Sequence, residues 1–242
     1  MRLSLTRLVS CMAVPALILL ASSGALSAAL SSPAKIYDPM GLYGPQVEFD
    51  VLRNGKKIGT HHIRFSGTAD ELTVDTESKL QIDFLFFTAF RFHYQSTARW
   101  KDGMLKKLVA KVDDNGKKTS FTAQRAGNRL RIVRAQQAEY AALPLFPTNH
   151  WNSGVLQEER VLNTLTGRIN LVTIEPEEQE SVMTNAGNRM ATRYRYNGQL
   201  QTEVWYDADG RWVRMRFAGR DGSTLEYVCR RCSSDNLIEA KR

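Results

Sequence analysis

The chain has 242 residues, 43% hydrophobic and 24% charged, with 33 lysines and arginines against 25 acids and a net charge of +8. A chain of this size buries about 70% of its unfolded surface as one domain, so it needs no scaffold of disulfides to fold. With only three cysteines, Cys11, Cys229 and Cys232, it has no such scaffold.

Residues 1–27 read as a secretory signal. Arg2 and Arg7 form a positive start, Val9 to Ala21 an apolar stretch, and Ala25-Leu26-Ser27 a small-residue cleavage site. A membrane-spanning anchor needs about 20 apolar residues and stronger flanking charge than Ser22-Ser23-Gly24 supplies, so no transmembrane anchor is expected after cleavage. Leu8-Val9-Ser10-Cys11 is similar to a lipidation site, but Cys11 precedes most of the apolar run and a lipidated cysteine follows it. Removal of residues 1–27 takes away two arginines and no acids, leaving 31 − 25 = +6. An exported protein of this charge meets anionic lipid, lipopolysaccharide or wall polymer rather than nucleic acid. The basic residues nevertheless alternate with apolar ones, as solvated strand faces do. The expected location is periplasmic or secreted.

Residues 28–46, with Pro33, Pro39, Gly41, Gly44 and Pro45, read as an irregular leader on the surface. A single β-domain is expected over 47–232. Its punctuation is a ladder of glycine turn pairs: Asn54-Gly55, Asp102-Gly103, Asn115-Gly116, Gly127-Asn128, Gly187-Asn188, Asn197-Gly198, Asp209-Gly210 and Asp221-Gly222. Asn, Asp and Gly tolerate the positive φ angles of tight hairpins. Within Gly103, Gly116, Gly127 and again within Gly187, Gly198, Gly210, Gly222 the spacing is 11 to 13 residues, which leaves a strand of roughly nine residues between turns.

The longest alternation runs from Leu72 to Phe84, with Leu72, Val74, Thr76, Ser78, Leu80, Ile82 and Phe84 on one face and charged or polar residues on the other. The next strand points Phe90, Phe92, Tyr94, Ala98 and Trp100 inward. Between them Phe84 to Phe90 is apolar without alternation, and reads as a corner covered on both faces, or as an exposed lip able to touch a membrane or a partner. Later segments alternate too, including Met190, Thr192, Tyr194, Tyr196; Val213, Met215, Phe217; and Leu225, Tyr227, Cys229. Leu171 to Ile174 is apolar on both faces and reads as a more central strand. Ser153 to Arg160 reads as a short helix capped by Ser153. Trp100 and Trp205 each precede an acidic-glycine turn, an apolar strand and a second such turn, a weak internal repeat suggesting two hairpins packed in related ways. The predicted fold class is all-β: an antiparallel meander of ten to twelve strands forming a strongly curved sheet or incomplete β-barrel, with one short helix. The 143–160 segment crosses an opening.

Few residues point to chemistry. Cys229-x-x-Cys232 has arginines at 230 and 231 that favour a thiolate, but it ends a strand instead of opening a helix. Three residues of extended strand span about 10 Å, too far for a disulfide, so a bridge requires a turn there. In Thr148-Asn-His-Trp-Asn152, His150, Trp151 and Asn152 read either as a pocket lining or as a plug across the open end of the sheet. Phe86, Phe92 and Tyr94 are further candidate ligand-lining residues. His61 and His62 point to opposite faces, which argues against a shared metal, and His93 lies on a polar face. Asp207-Ala-Asp209-Gly210 lacks the remaining ligands of a calcium loop and reads as a turn. No nucleophile elbow, phosphate loop, dinucleotide fingerprint or zinc-protease motif occurs, so no catalytic residue, cofactor or metal is expected.

Val51-Leu-Arg-Asn-Gly-Lys-Lys-Ile-Gly59, Asp113-Asp-Asn-Gly-Lys117, Thr148 to Asn152, Leu162-Asn-Thr-Leu-Thr-Gly167 and Trp205-Tyr-Asp-Ala-Asp-Gly-Arg-Trp212 together resemble an uncharacterised family of secreted Gram-negative proteins. The resemblance covers roughly residues 47–228, is specific as a set of motifs, and implies no activity. Related families are similar in pattern to periplasmic lipoprotein carriers, whose half-open β-barrel shelters acyl chains; this implies a fold and says little about a ligand. The leading expectation is a non-catalytic envelope protein that binds a lipid or other amphipathic molecule in an apolar cavity. The alternatives are a structural or protein-interaction module of the envelope and a thiol-redox protein using Cys229 and Cys232.

Overall fold

The alternation that begins near Val47 builds a single sheet. The computed structural model describes residues 38–84, 87–185 and 187–234. The signal-like segment, most of the leader, Phe86 and, of the C-terminal tail expected over 233–242, residues 235–242 lie outside them, as do the side chains of Phe84 and Phe87.

Fifteen strands follow in chain order: β1 (Gln46–Arg53), β2 (Lys56–Gly67), β3 (Glu71–Phe84), β4 (Phe87–Lys101), β5 (Met104–Asp114), β6 (Lys117–Ala126), β7 (Arg129–Arg134), β8 (Gln137–Ala142), β9 (Phe146–Pro147), β10 (Arg160–Leu162), β11 (Ile169–Thr184), β12 (Gly187–Gly198), β13 (Thr202–Asp207), β14 (Trp212–Ala218) and β15 (Thr224–Arg231). Across the sheet they run from β8 down to β1, then from β15 down to β9. All neighbours are antiparallel except β9 and β10. The hairpins close on the glycine ladder: φ is positive at both central residues of Asn54-Gly55, Asp102-Gly103 and Asn115-Gly116, the geometry that matches the strands' own twist.

Chain connectivity forces the sheet to curl. Laid flat, 15 strands would be roughly 67 Å wide, yet the two edge strands are joined by residues 143–145 alone, a reach of at most about 14 Å. β8 and β9 are not paired with each other, so the barrel is incomplete. Contacts across the curl agree. Arg220 in the β14–β15 hairpin meets Asp114 of β5 at 2.8 Å, and Gly167 after β10 lies against the Phe121 ring of β6.

The inner face of every long strand carries the core. Val47, Phe49 and Val51 of β1, Ile63 and Phe65 of β2, Leu72 and Val74 of β3, and Leu108, Ala110 and Val112 of β5 are all buried. The 143–162 segment fills one part of the enclosed space with Leu145, Phe146, Trp151, Val155, Leu156, Val161 and Leu162. Trp151 meets Phe65 and Trp100 edge to face at 5.5 and 5.4 Å. This aromatic seat is what holds the crossing segment in place.

Several sequence expectations are corrected. Among the described residues there are fifteen strands, not ten to twelve, because the β7–β8 turn uses Ala135 and Gln136 at positive φ without glycine and because β9 and β10 are too short to alternate. Of the Phe84–Phe90 run, Phe84 ends β3 and Phe87–Phe90 open β4, with Phe84 paired to Phe87, and residues 85–86 lie outside the described residues. The leader is not wholly irregular. Asp38 accepts a hydrogen bond from the Gly41 amide and caps a five-residue helix, α1 (Pro39–Tyr43), whose Tyr43 is buried. The helix expected over 153–160 is a 3-10 turn, Ser153–Gln157, capped by Asn152 instead of Ser153. β11 is not a central strand: it meets only three residues of β10 and leaves the rest of that edge unpaired, and Leu171, although paired with Arg160, is 56% exposed while its neighbour Val172 is buried. Glu175, Pro176, Glu177 and Glu178, beside a bulge in the pairing of β11 with β12, blunt that edge against further pairing. Met190, expected inside, is exposed. The two hairpins of the weak repeat also pack differently. Trp100 faces the core, whereas Trp205 lies on the outer face beneath Arg214 and Arg216 and donates to Glu180.

Candidate functional site

The space that the crossing segment leaves unfilled is a cavity of about 610 Å³. Its walls come from inward positions of β2, β3, β4, β14 and β15. The register places His61 opposite Ser78, and Ser78 opposite Tyr94. Two residues further along come Leu80 and Phe92, and two further again Ile82 and Phe90. Met215, Phe217, Leu225 and Tyr227 complete the opposite wall. Strand alternation alone lines these residues up, because each step of two returns to the same face.

The crossing loop supplies the polar end. It is pinned at successive residues by buried tyrosines: Tyr94 donates to the Asn149 side-chain Oδ1 at 3.0 Å, Tyr206 to the His150 backbone carbonyl at 2.8 Å, and Tyr43 to the Trp151 backbone carbonyl at 2.9 Å. His150 takes a left-handed conformation with φ 57°, which turns its ring back toward Trp212, 5.6 Å away. His61 flanks the same indole at 5.6 Å. His61 Nδ1 is 2.5 Å from Ser78 Oγ, while His61 Nε2 and His150 Nδ1 have no hydrogen-bond partner. Burial pushes both imidazoles down, His61 to about 3 and His150 to about 4, with His62 and His150 adding to the effect on His61. Both are therefore uncharged near neutral pH.

The rim carries charge in matched pairs. Arg53 meets Asp221 at 2.6 Å and Arg220 meets Asp114 at 2.8 Å. Hydrogen bonds from Ser223 and Arg53 hold the Asp221 carboxyl well below the usual carboxylate range. Leu165, Leu200 and Gln201 complete the border.

The candidate residues separate on this map. His150, Phe92 and Tyr94 line the cavity. Trp151 does not; it packs between Phe65 and Trp100. Asn152 is used as the cap of the 3-10 turn, accepting from the Gly154 amide at 2.9 Å. Phe86 lies outside the described residues. Sequence reasoning missed His61, Trp212, Tyr227 and the four rim charges. Parity with Ile63 and Phe65 would have placed His61 inward, but only register across three strands brings it beside Ser78.

Cys229 and Cys232 are joined by a disulfide with a Cα separation of 5.9 Å, where β15 ends. Both residues are buried. Among the described residues no group of three or more His, Cys, Asp or Glu side chains is arranged to hold a metal, and no helix is long and apolar enough to cross a membrane.

The family model described as domain of unknown function DUF6134 matches residues 49–230. The chain belongs to this family. No curated protein matches it in sequence. A crystal structure of a β-barrel-like protein of domain of unknown function DUF1849 from Brucella abortus is similar in fold, with a TM-score of 0.56 at 10% identity, covering 78% of this chain and 96% of that one. At that identity the likeness shows the barrel-like architecture shared by this DUF6134 domain and no more.

Proposed function

We propose that this is a non-catalytic, exported envelope protein that holds a lipid or other amphipathic molecule inside its incomplete barrel. The observation that carries the reading is the cavity of about 610 Å³ with apolar walls from Leu80, Ile82, Phe90, Phe92, Phe217 and Leu225, a few neutral polar groups at its inner end and paired charges at its rim. Sites of this size and polarity are typical of small-molecule binding. Each methylene moved from water into such walls contributes about 0.8 kcal/mol, enough for a short alkyl chain to overcome the cost of association. Export is supported by the signal-like residues 1–27 and by the disulfide, a bond of oxidising compartments. Burial of Cys229 and Cys232 argues against exchange with substrate thiols.

The test is uptake of the neutral fluorescent probe N-phenyl-1-naphthylamine together with native mass spectrometry of protein isolated without detergent. The expected result is stoichiometric probe binding, lost in Ala89→Trp, which places an indole in the wall. A correctly folded protein that emerges with no bound molecule and takes up no probe would refute the reading.

A further inference from the structure

The chemistry of the cavity wall is selective. Its charged lining residues, among the described residues, are Arg53, Asp114, Arg220 and Asp221, and each already faces a partner of opposite sign. No unpaired charge remains to meet an ionic group drawn inside, and a buried charge without a counter-charge is strongly disfavoured. A molecule carrying a carboxylate, phosphate or ammonium must therefore keep that group outside. Uncharged groups are treated differently. His61 and His150 both line the cavity with their rings 5.6 Å from that of Trp212, both residues are about 5% exposed, and among the described residues neither His61 Nε2 nor His150 Nδ1 has a hydrogen-bond partner.

The roles of these nitrogens depend on tautomer. If His61 Nδ1 donates to Ser78 Oγ, Nε2 is an acceptor; if Ser78 donates, Nε2 carries the proton. A carboxylate only accepts and an ammonium only donates. A hydroxyl does both, so it satisfies the imidazole in either form. From the His61–Ser78 row to the Ile82–Phe90 row the strands advance four residues, about 13 Å of almost wholly apolar wall. An alkyl chain laid along it would place a terminal polar group at the histidines.

Resting on the cavity reading above, the geometry points to a ligand class: an uncharged, hydroxyl-bearing lipid, such as a long-chain alcohol or acylglycerol, bound with its hydroxyl inward at His61 and His150 and its chain toward the β3–β4 hairpin. The imidazoles are positioned as recognition groups for the hydroxyl. The paired rim charges act as a filter against ionic amphiphiles.

Matched ten-carbon competitors test this by displacement of N-phenyl-1-naphthylamine at pH 7.5. The expected order on the unmodified protein is 1-decanol ahead of decanoate and decyltrimethylammonium by roughly tenfold or more, the scale of burying an unmet charge. In His61→Phe, which replaces the imidazole by an apolar ring, the affinity for 1-decanol relative to that for the probe falls roughly fivefold, the scale of one lost hydrogen bond. Decanoate binding as tightly as 1-decanol would overturn the inference and leave the cavity reading intact. So would an unchanged affinity for 1-decanol relative to the probe in a folded His61→Phe protein that still takes up the probe. If the unmodified protein takes up no probe, the cavity reading falls and this inference with it. The comparison on the unmodified protein decides the question even if His61→Phe does not fold.

Discussion

The two buried imidazoles make a quantitative prediction about acid stability. In the unfolded chain each takes up a proton near pH 6.5; in the folded protein burial holds His61 to about 3 and His150 to about 4. Between those limits the unfolded state binds more protons, so stability is full above pH 6.5 and falls as the pH drops. The surroundings offer no rescue. His61 is packed against Phe49, Trp212 and Tyr227, and His150 against Tyr196 and Trp212. No carboxylate acts on either imidazole: burial dominates both, and the only charges that bear on His61 are those of His62 and His150. At pH 5, 1.5 units below the unfolded value, each histidine costs about 2 kcal/mol relative to pH 7.5, and the pair about 4 kcal/mol. That is a large share of the roughly 5–15 kcal/mol that holds a domain together. Urea unfolding followed by tryptophan fluorescence at pH 7.5, 6.5, 5.5 and 5.0 reads the effect directly. The expected loss is halved in His61→Phe and again reduced when His150→Asn is added, asparagine being chosen because it tolerates the positive φ at 150. Carboxylates titrate below this window, so they contribute little to the slope. Stability that stays flat from pH 7.5 to 5.0, or an undiminished slope in His61→Phe, would refute the reasoning.

Other consequences follow from packing. Trp151→Ala removes the ring seated between Phe65 and Trp100 and should cost about 3–5 kcal/mol in urea unfolding; a loss below 1 kcal/mol would mean the crossing segment is held some other way. A Cβ at Gly59 would overlap the Lys79 carbonyl oxygen across the β2–β3 pair. Gly59→Ala should therefore cost about 1–3 kcal/mol despite adding only one methyl group, and an unchanged midpoint would count against the register. Arg220→Ala breaks an exposed rim pair in which the arginine is 91% exposed. It should change stability by less than about 1 kcal/mol while speeding probe release in stopped-flow measurements; unchanged release would remove the rim pair from any role in retention. Replacing Cys229 and Cys232 together by serine opens a loop of sequence separation 3, worth about 2 kcal/mol by loop closure. A thermal unfolding curve that does not move under non-reducing conditions would contradict that estimate.

What could be read from the chain, and what could not, follows from the range of the interactions. Alternation and turn chemistry are local: Leu72 to Phe84 and Asn54-Gly55 declare a strand and a hairpin without reference to anything distant. They sufficed for an all-β antiparallel sheet and for an incomplete barrel. The helix α1 was also written locally, in Asp38 before Pro39, but the prolines and glycines around it obscured the signal. The Ala135-Gln136 turn had no signal, since neither residue ordinarily marks positive φ. The cavity belongs to a different class. Phe92 and Tyr94 were found because they lie on a long alternating strand, yet the role of His61 exists only because β2 and β3 pair in one register, placing it opposite Ser78. Slipping that register by a single residue would turn His61 to the outer face and His62 to the inner one. Trp151 shows the converse: its composition suited a pocket, but Phe65 and Trp100, 86 and 51 positions earlier in the chain, enclose it. Of the paired rim charges, Arg53 and Asp221 meet through the pairing of β1 with β15, whereas Arg220 reaches Asp114 of β5 only because the sheet curls. The site is thus a property of closure. Where the barrel fails to close, one loop fills part of the interior, and the inward strand positions it leaves uncovered become the wall that a ligand would touch.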